Sequence, residues 1–372
     1  IRKVDTSSRK EVNEFIRLPF RLYKDTYQWV PPFIADIKKM LNRDKHPVYE
    51  HSEADFFLAY RDGEVVGRIG ALENKPYNKS HESKRAFISL FECVDDQEIA
   101  DGLFERIFDW ARQRGLNQAL GPKGFGAFDG YGVLIDGFEH RQMMTMVWYN
   151  FPYYQSLFET AGFVKEVDFV SCYVTKENFK LDEKIIEIAR RVRERGSFQV
   201  HNIRTKRELI RWAQRIGEAY NKAFVNNWEY YPLSAAEIKQ LVDDLILIAD
   251  PRLIKFITKG EEIVGFLLGF PDATDALQRA KGRLTPWGIA DMLITMRRAK
   301  WATFNGTGIL PQHRGRGGNA LMYDEMLRTV KQFNFDYLDM PQVAETTVQM
   351  RQELKNLGGI EYKNHRVYIR DI

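Results

Sequence analysis

The chain has 372 residues, 44% hydrophobic and 28% charged, which is the balance of a globular protein with room for two domains. Its formal net charge of +4 is too small for this length to mark a dedicated nucleic-acid binder, although a local phosphate site is allowed. Two cysteines, Cys93 and Cys172, make neither a disulfide framework nor a cysteine-based metal site, and the seven histidines show no ligand spacing. With no secretory signal and no run of about twenty apolar residues, the expectation is a cytoplasmic protein with no metal and no membrane span.

Phe56-Phe57-Leu58-Ala59-Tyr60 and Val65-Val66-Gly67-Arg68-Ile69 flank Asp62-Gly63, which predicts a hairpin. A strand over 86–94, a helix over 97–113 and a short strand over 118–120 follow. Next comes a long glycine-rich loop, Gly121-Pro122-Lys123-Gly124-Phe125-Gly126-Ala127-Phe128-Asp129-Gly130-Tyr131-Gly132, continuing through Leu134-Ile135-Asp136-Gly137-Phe138 and Met143-Met144-Thr145-Met146 to Tyr149-Asn150-Phe151-Pro152-Tyr153-Tyr154. A helix then stops at Gly162 and feeds a strand over 169–174. Residues 182–195 carry apolar positions at Ile185, Ile188, Ala189 and Val192, a helical spacing that Gly196 ends.

The order then repeats. A second hairpin spans 253–268, turning at Lys259-Gly260, and is followed by a strand over 301–310, a helix over 319–333 and a strand over 337–340. A helix over 350–357 then stops at Gly358-Gly359 before a last strand over 367–369. The second copy also carries an insertion over 273–300, readable as a lid over an acceptor site or as a packing annex. A twofold repeat of this kind indicates a duplicated domain. It divides the chain into residues 1–178, a connecting helix over 179–196, and residues 197–372.

The most informative segment is Ile309-Leu310-Pro311-Gln312-His313-Arg314-Gly315-Arg316-Gly317-Gly318-Asn319-Ala320. A β-branched strand end, a proline, cations and three glycines directly before a helix are what a backbone needs to wrap a pyrophosphate. Glycines let the amides turn inward, and the helix N-terminus favours the anion. The Gly-Lys-Ser/Thr ending of a P-loop is absent, and Gly315-x-Gly317-x-x-Ala320 has alanine where the Rossmann motif has its third glycine. The segment resembles the pyrophosphate-binding motif Arg/Gln-x-x-Gly-x-Gly/Ala of the GNAT acyltransferase superfamily. It fits as Gln312-x-x-Gly315-x-Gly317 or, preferred here, as Arg314-x-x-Gly317-x-Asn319. The resemblance implies acetyl-CoA or a longer acyl-CoA as co-substrate, held by Ile309, Leu310, Gln312, Arg314, Gly315, Arg316, Gly317, Gly318 and Asn319.

Extended to both halves, the resemblance implies a mixed α/β (α+β) fold of two tandem GNAT-like domains, each a mostly antiparallel mixed sheet flanked by helices. At the matching point the first half has Asp95-Asp96-Gln97-Glu98, carboxylates that satisfy a helix N-terminus by themselves and would repel a pyrophosphate. The first half is therefore expected to be a degenerate GNAT domain without the cofactor loop. Its glycine-rich loop resembles that of a bacterial tandem group, the YghO-like acyltransferases. On that basis Tyr131, Asn150, Tyr153 and Tyr154 are expected to shape an acceptor pocket between the halves.

Acyl transfer needs an amine nucleophile, a donor to the developing oxyanion and a proton for the leaving thiolate. The resemblance assigns the oxyanion donor to a backbone amide, Ile309 or Leu310. Asp339 and Glu345 are candidate bases, each also readable as a helix N-cap or a solvated carboxylate. Leu354 stands where the family usually has an acid tyrosine, leaving Tyr323, Tyr362 or water. The expected function is N-acyl transfer from coenzyme A to a small-molecule or lipid amine, with a sphingoid base among the acceptors. A non-catalytic acyl-CoA sensor and a FemX-like aminoacyl transferase are the alternatives. No nucleic-acid partner is expected, and a homodimer is left open.

Overall fold

Asp62 at φ 52° and Gly63 at φ 84° both take the left-handed conformation, which is the demand of a two-residue type I′ turn. The computed structural model describes the whole chain except residues 127, 128, 145, 226 and 229. Ala127, Phe128 and Thr145 of the long loop therefore lie outside the described residues.

The first half runs β1 (Arg2–Lys3), α1 (Arg9–Leu22), α2 (Ile34–Leu41), β2 (Glu53–Arg61), β3 (Glu64–Glu73), α3 (Lys75–Ser80) and β4 (Arg85–Cys93). It continues with α4 (Gln97–Arg112), β5 (Gln118–Gly121), β6 (Val133–Asp136), α5 (Tyr153–Thr160) and β7 (Val164–Thr175). After the connecting helix α6 (Glu183–Arg195) come β8 (Gln199–Asn202), α7 (Lys206–Ala223), α8 (Ala235–Leu245), β9 (Ile254–Lys259) and β10 (Glu262–Pro271). The insertion forms α9 (Thr274–Ala280) and α10 (Pro286–Arg298). The chain then runs β11 (Trp301–Ile309), α11 (Gly318–Val330), β12 (Tyr337–Ala344), α12 (Val348–Asn356) and β13 (Ile360–Asp371).

These elements follow from local chemistry. In α4 the residues Ala100, Leu103, Phe104, Ile107, Phe108 and Ala111 recur at three and four, and all are buried. Asp96 caps that helix by accepting from the Ile99 amide at 3.1 Å. Four helices, α1, α2, α7 and α8, lie within 1–52 and 197–252, outside the repeated pattern. Their signals were present: Thr205 caps α7, and Ser234 with Glu237 forms a capping box on α8.

The strands join one continuous sheet in the order β1-β2-β3-β4-β5-β13-β7-β12-β11-β10-β9-β8, with β6 pairing β13. The halves are related, yet each gives its last strand to the other. β13 pairs antiparallel with β5 of the first half, and β7 pairs antiparallel with β12 of the second. The division at residue 178 is thus a division of the chain and not of the sheet.

The cores interlock in the same way. Val30, Met144, Met146 and Val147 of the first half are buried in the core of the second half beside Ile254 and Phe266. In return Tyr220, Tyr230, Tyr231, Leu233 and Ile238 join the first-half core beside Phe15 and Phe56. Each half thus covers part of the other's apolar surface.

Candidate functional site

β11 and β12 run parallel and pair only through Trp301–Thr303 and Tyr337–Asp339. Beyond that point they part, and an irregularity in each strand accompanies the separation. Gly306 takes φ 112° where the β10–β11 register shifts, and Gln342 takes φ 51° where the β12–β7 register shifts. Gln342 is held there by the first-half loop, its side chain donating to the Tyr131 carbonyl at 2.7 Å and accepting from the Tyr131 amide at 3.2 Å.

The glycine turn closes one end of this opening. After Pro311 starts a single 3₁₀ turn, Gly315 (φ 70°) and Gly317 (φ 85°) adopt left-handed conformations, and Gly317 caps α11. The amides from Gly315 to Asn319 donate to no backbone carbonyl among the described residues, so they remain available to an anion at the helix N-terminus. A Cβ on Gly317 would lie 2.6 Å from Val192 Cγ2 and 2.9 Å from Ile188 Cγ2, so α6 packs directly against the turn. A Cβ on Gly315 would meet nothing within 4 Å, which is the open side.

A cavity of about 840 Å³ begins at this turn, within the usual size of a small-molecule site. Gly315, Arg314 and Asn319 border it at the turn. Residues 304–309 of β11, with Leu338 and residues 340–344 of β12, form its floor, and α11 and α12 form its walls through Tyr323, Met326, Met350 and Leu354. Its lining also includes Asp129 and Tyr131 of the first-half loop with Tyr220, Phe224 and Asn227. Its lining is mostly apolar.

The expected site residues fall into two groups. Ile309, Arg314, Gly315, Asn319 and Tyr131 line the cavity, whereas Leu310, Gln312, Arg316, Gly317 and Gly318 lie in or beside the turn without lining it. Arg314 is partly committed to the fold: its Nε donates to the Ile309 carbonyl and its Nη2 to the Ala223 carbonyl, both at 3.2 Å. Exposed Arg316 has no hydrogen-bond or ion-pair partner among the described residues.

The Leu310 amide is not available to an oxyanion. It donates to the Val264 carbonyl at 2.9 Å, because the antiparallel ladder with β10 reaches the end of β11. By strand alternation the amide of Ile309, opposite Gly265, turns instead to the open side.

Several other expectations are corrected. Glu345 is bound into the strand exchange: Oε2 accepts from Lys165 Nζ at 2.8 Å and Oε1 from the Asp168 amide at 3.0 Å. Asp339 is wholly buried and accepts from the Tyr362 hydroxyl at 2.9 Å, on the sheet face opposite the cavity-lining Leu338 and Met340. Burial pushes its carboxyl up to about 7, against the pull of nearby Lys363. Asn150 pins the loop, accepting from the Leu134 amide at 2.7 Å and donating to the Leu134 and Phe151 carbonyls.

Tyr153 and Tyr154 sit in the first half's own strand end. Tyr154 Oη accepts from the Cys93 amide at 3.2 Å and donates to Glu92 at 2.7 Å, while Tyr153 donates to the Cys93 carbonyl at 2.8 Å. They fill the place that corresponds to the second half's cavity. Arg61 pairs with both Asp96 and Glu98 there, so the helix N-terminus is occupied by carboxylates.

Asp129 was missed. Its Oδ2 accepts from the Gly126 amide at 2.7 Å, and Gly124 is needed because a Cβ there would lie 2.0 Å from Asp129 Cβ. The loop glycines therefore wrap a carboxylate rather than cradle a phosphate. Burial raises the Asp129 pKa, opposed first by the Gly126 and Phe125 amides and then by Lys123. Lys123 is buried, with Nζ 4.5 Å from the Tyr131 ring centroid and close to the rings of Tyr77, Phe87 and Trp228. A single acid and a single lysine, Lys123, in a run otherwise of glycine, apolar and aromatic residues were the available signal.

No protein-family model matches the chain. Among solved structures, it superposes on a tandem GNAT protein from the clavulanic acid biosynthesis pathway with a TM-score of 0.55 and 10% identity, covering 99% of this chain and 97% of that one. The chain has the tandem GNAT fold. A second GNAT structure, the glucosamine N-acetyltransferase region of a fungal multi-domain GH3 beta-N-acetylglucosaminidase, matches with a TM-score of 0.54 and 11% identity over 99% of this chain and 38% of that one. Among curated proteins, a bacterial ceramide synthase of Caulobacter vibrioides (strain NA1000 / CB15N) is 28% identical over 370 residues, 96% of this chain and 94% of that protein. Protein YghO of Escherichia coli (strain K12) is 23% identical over 371 residues, 98% of this chain and 94% of that protein. In GNAT terms, the glycine turn, the irregular β11 and its separation from β12 occur together only in the second half, where the cavity lies. No group of residues able to hold a metal occurs among the described residues.

Proposed function

We propose that the protein is an acyl-CoA-dependent N-acyltransferase whose second half binds the coenzyme and whose first-half loop receives an amine acceptor. The observation that carries this reading is the glycine turn, with its free amides, opening onto one end of a cavity that runs between the separated strands. The pyrophosphate fits the amides of Gly315 to Asn319, with Arg316 and Arg314 adding charge. The thioester carbonyl would then meet the Ile309 amide, a donor fixed by the sheet before reaction begins.

Asp129 is assigned to the acceptor end. A carboxylate there attracts an ammonium group, and its raised affinity for a proton suits it to take one as the amine attacks. The attacking nitrogen forms the bond to the acyl carbon, and the thiolate leaves. Leu354 supplies no proton to that thiolate, and the Tyr323 hydroxyl donates to Glu353 at 3.0 Å, so water within the cavity is the proton source in this reading. The apolar lining and the ceramide synthase relative favour a long-chain amine, such as a sphingoid base, and a long acyl chain. Two free, buried cysteines agree with a cytoplasmic setting.

Thiol release from acetyl-CoA and longer acyl-CoAs, measured over soluble amines and sphingoid bases, tests the proposal. Turnover that depends on both acyl-CoA and an amine is expected. Tight acyl-CoA binding with no release on any acceptor would leave the sensor reading instead.

A further inference from the structure

The insertion between β10 and β11 lines no part of the cavity, so it is not a lid over that site. Its inner face is a packing surface: Thr274, Ala276 and Leu277 of α9 are buried, as is Met292 of α10, with Met296 half-buried beside it. The outer face of α10 is different. Trp287 is 85% exposed, Ile294 49% and Leu293 40%, and Leu284 just before the helix is 48% exposed. Trp287 and Ile294 are seven residues apart and share one stripe, opposite the stripe that carries Met292. Tyr27, 69% exposed, lies on the segment that adjoins the insertion, since the Gln278 side chain of α9 donates to the Tyr27 and Trp29 carbonyls.

Single exposed apolar residues need no explanation, but a tryptophan and its apolar neighbours on one outward helix face do. Their surroundings are strongly basic. Lys281, Arg283, Arg297 and Arg298 are exposed and enter no ion pair among the described residues. The carboxylate on α10, Asp291, is neutralised by Arg279 at 2.8 Å. Over 274–300 there are six Lys and Arg against two Asp, a local net charge of +4 in 27 residues that matches the total of the whole chain. A protein-binding core is depleted in charge, whereas an apolar stripe led by tryptophan and rimmed with unpaired cations matches the headgroup region of an anionic bilayer. Among the described residues no helix is long and apolar enough to cross a membrane, so such contact would be interfacial.

We infer that the outer face of α10, with Leu284 and Tyr27, docks the protein on an anionic phospholipid surface. Apolar side chains enter the headgroup boundary, and Arg283, Arg297, Arg298 and Lys281 meet the lipid phosphates. This rests on residues separate from the cavity and stands whether or not the catalytic reading holds.

Flotation of the full chain with vesicles of phosphatidylcholine containing about 30% phosphatidylglycerol, against pure phosphatidylcholine, tests the inference. Binding is expected on the anionic vesicles and should weaken with added salt. The double variant Trp287→Ser/Ile294→Ser and the triple variant Arg283→Gln/Arg297→Gln/Arg298→Gln should each lose at least about tenfold in vesicle affinity. Because every substituted side chain is exposed, thermal melting and CoA binding of both variants should stay as in the parent. Parent protein that stays off anionic vesicles, or variants that float as well as the parent, would overturn the inference. So would a dimer in sedimentation that the double variant splits, since a second copy would then cover this face.

Discussion

Gly315 and Gly317 are two residues apart, share a left-handed backbone and do different work. Gly315 keeps the open side of the turn clear, whereas Gly317 lets α6 close on it, with Val192 and Ile188 in the space a side chain would need. A bulky residue at Gly317 would therefore damage the fold together with the site, and Asn319 offers a cleaner test. Asn319→Asp recreates in the second half the acidic helix start found at Asp95 and Asp96. It should weaken acyl-CoA binding by about tenfold or more while adding about 0.3–1 kcal/mol of stability from the helix dipole. Calorimetric titration and thermal melting read the two effects, and unchanged affinity would remove the anion from this turn. Tyr153 gives the opposite case. Because its hydroxyl is spent on the Cys93 carbonyl, Tyr153→Ala should cost about 1–3 kcal/mol in denaturant unfolding and leave the acceptor KM within about twofold.

At the level of elements, both halves keep an irregularity in the strand before the long helix, at Leu90 (φ 51°) in β4 and at Gly306 in β11. In the first half Tyr154 fills the resulting gap, and in the second the gap opens as the cavity. The exchanged strands β7 and β13 hold the two strand ends together, and Glu345 with Lys165 and Asp168 fastens the crossing. Expressed alone, residues 1–178 and 197–372 should each fail to show cooperative unfolding, because each would leave the other's strand position empty. Expressed together they should associate, and two separate transitions in the intact chain would contradict the exchange. The repeat itself was legible from hairpin, strand, helix and glycine recurring in order. The exchange was not, since two similar halves predict the same sequence pattern whether their last strands stay home or cross.

Acid sensitivity belongs to the whole molecule, because the groups responsible are buried where the halves meet. His365 lies on β13 with Nε2 2.8 Å from the Trp148 carbonyl, and burial pulls its pKa down from 6.5 to about 3. His46, packed near Gln240 of the second half, is lowered to about 4 for the same reason. A depressed folded pKa contributes stability that is fully present above the unfolded value near 6.5 and is lost as pH falls through the folded value. Each histidine should steepen the loss by up to about 1.4 kcal/mol per pH unit in that window. Asp339, raised to about 7, acts in the opposite sense, losing stability as pH rises between 3.8 and 7. The readout is therefore the difference between the parent and His365→Gln in denaturant unfolding at about pH 7 and pH 5. The variant should show the flatter dependence, and equal slopes would assign the sensitivity elsewhere.

The amino-acid order by itself determined the recurring order of elements and the glycine-rich turn that only the second copy carries. Each of those depends on local chemistry: glycine conformations, helix caps and the sign of charge at a helix start. It could not separate the Ile309 amide from that of Leu310, because only the ladder with β10 decides which one faces the opening. It placed Tyr153, Tyr154 and Glu345 near a site, and the tertiary structure showed their polar atoms already paired. It passed over Asp129, which comes to line the cavity only once the first-half loop is folded. Side-chain availability is a property of packing, and in this molecule the packing is set by strands and loops that each half takes from the other.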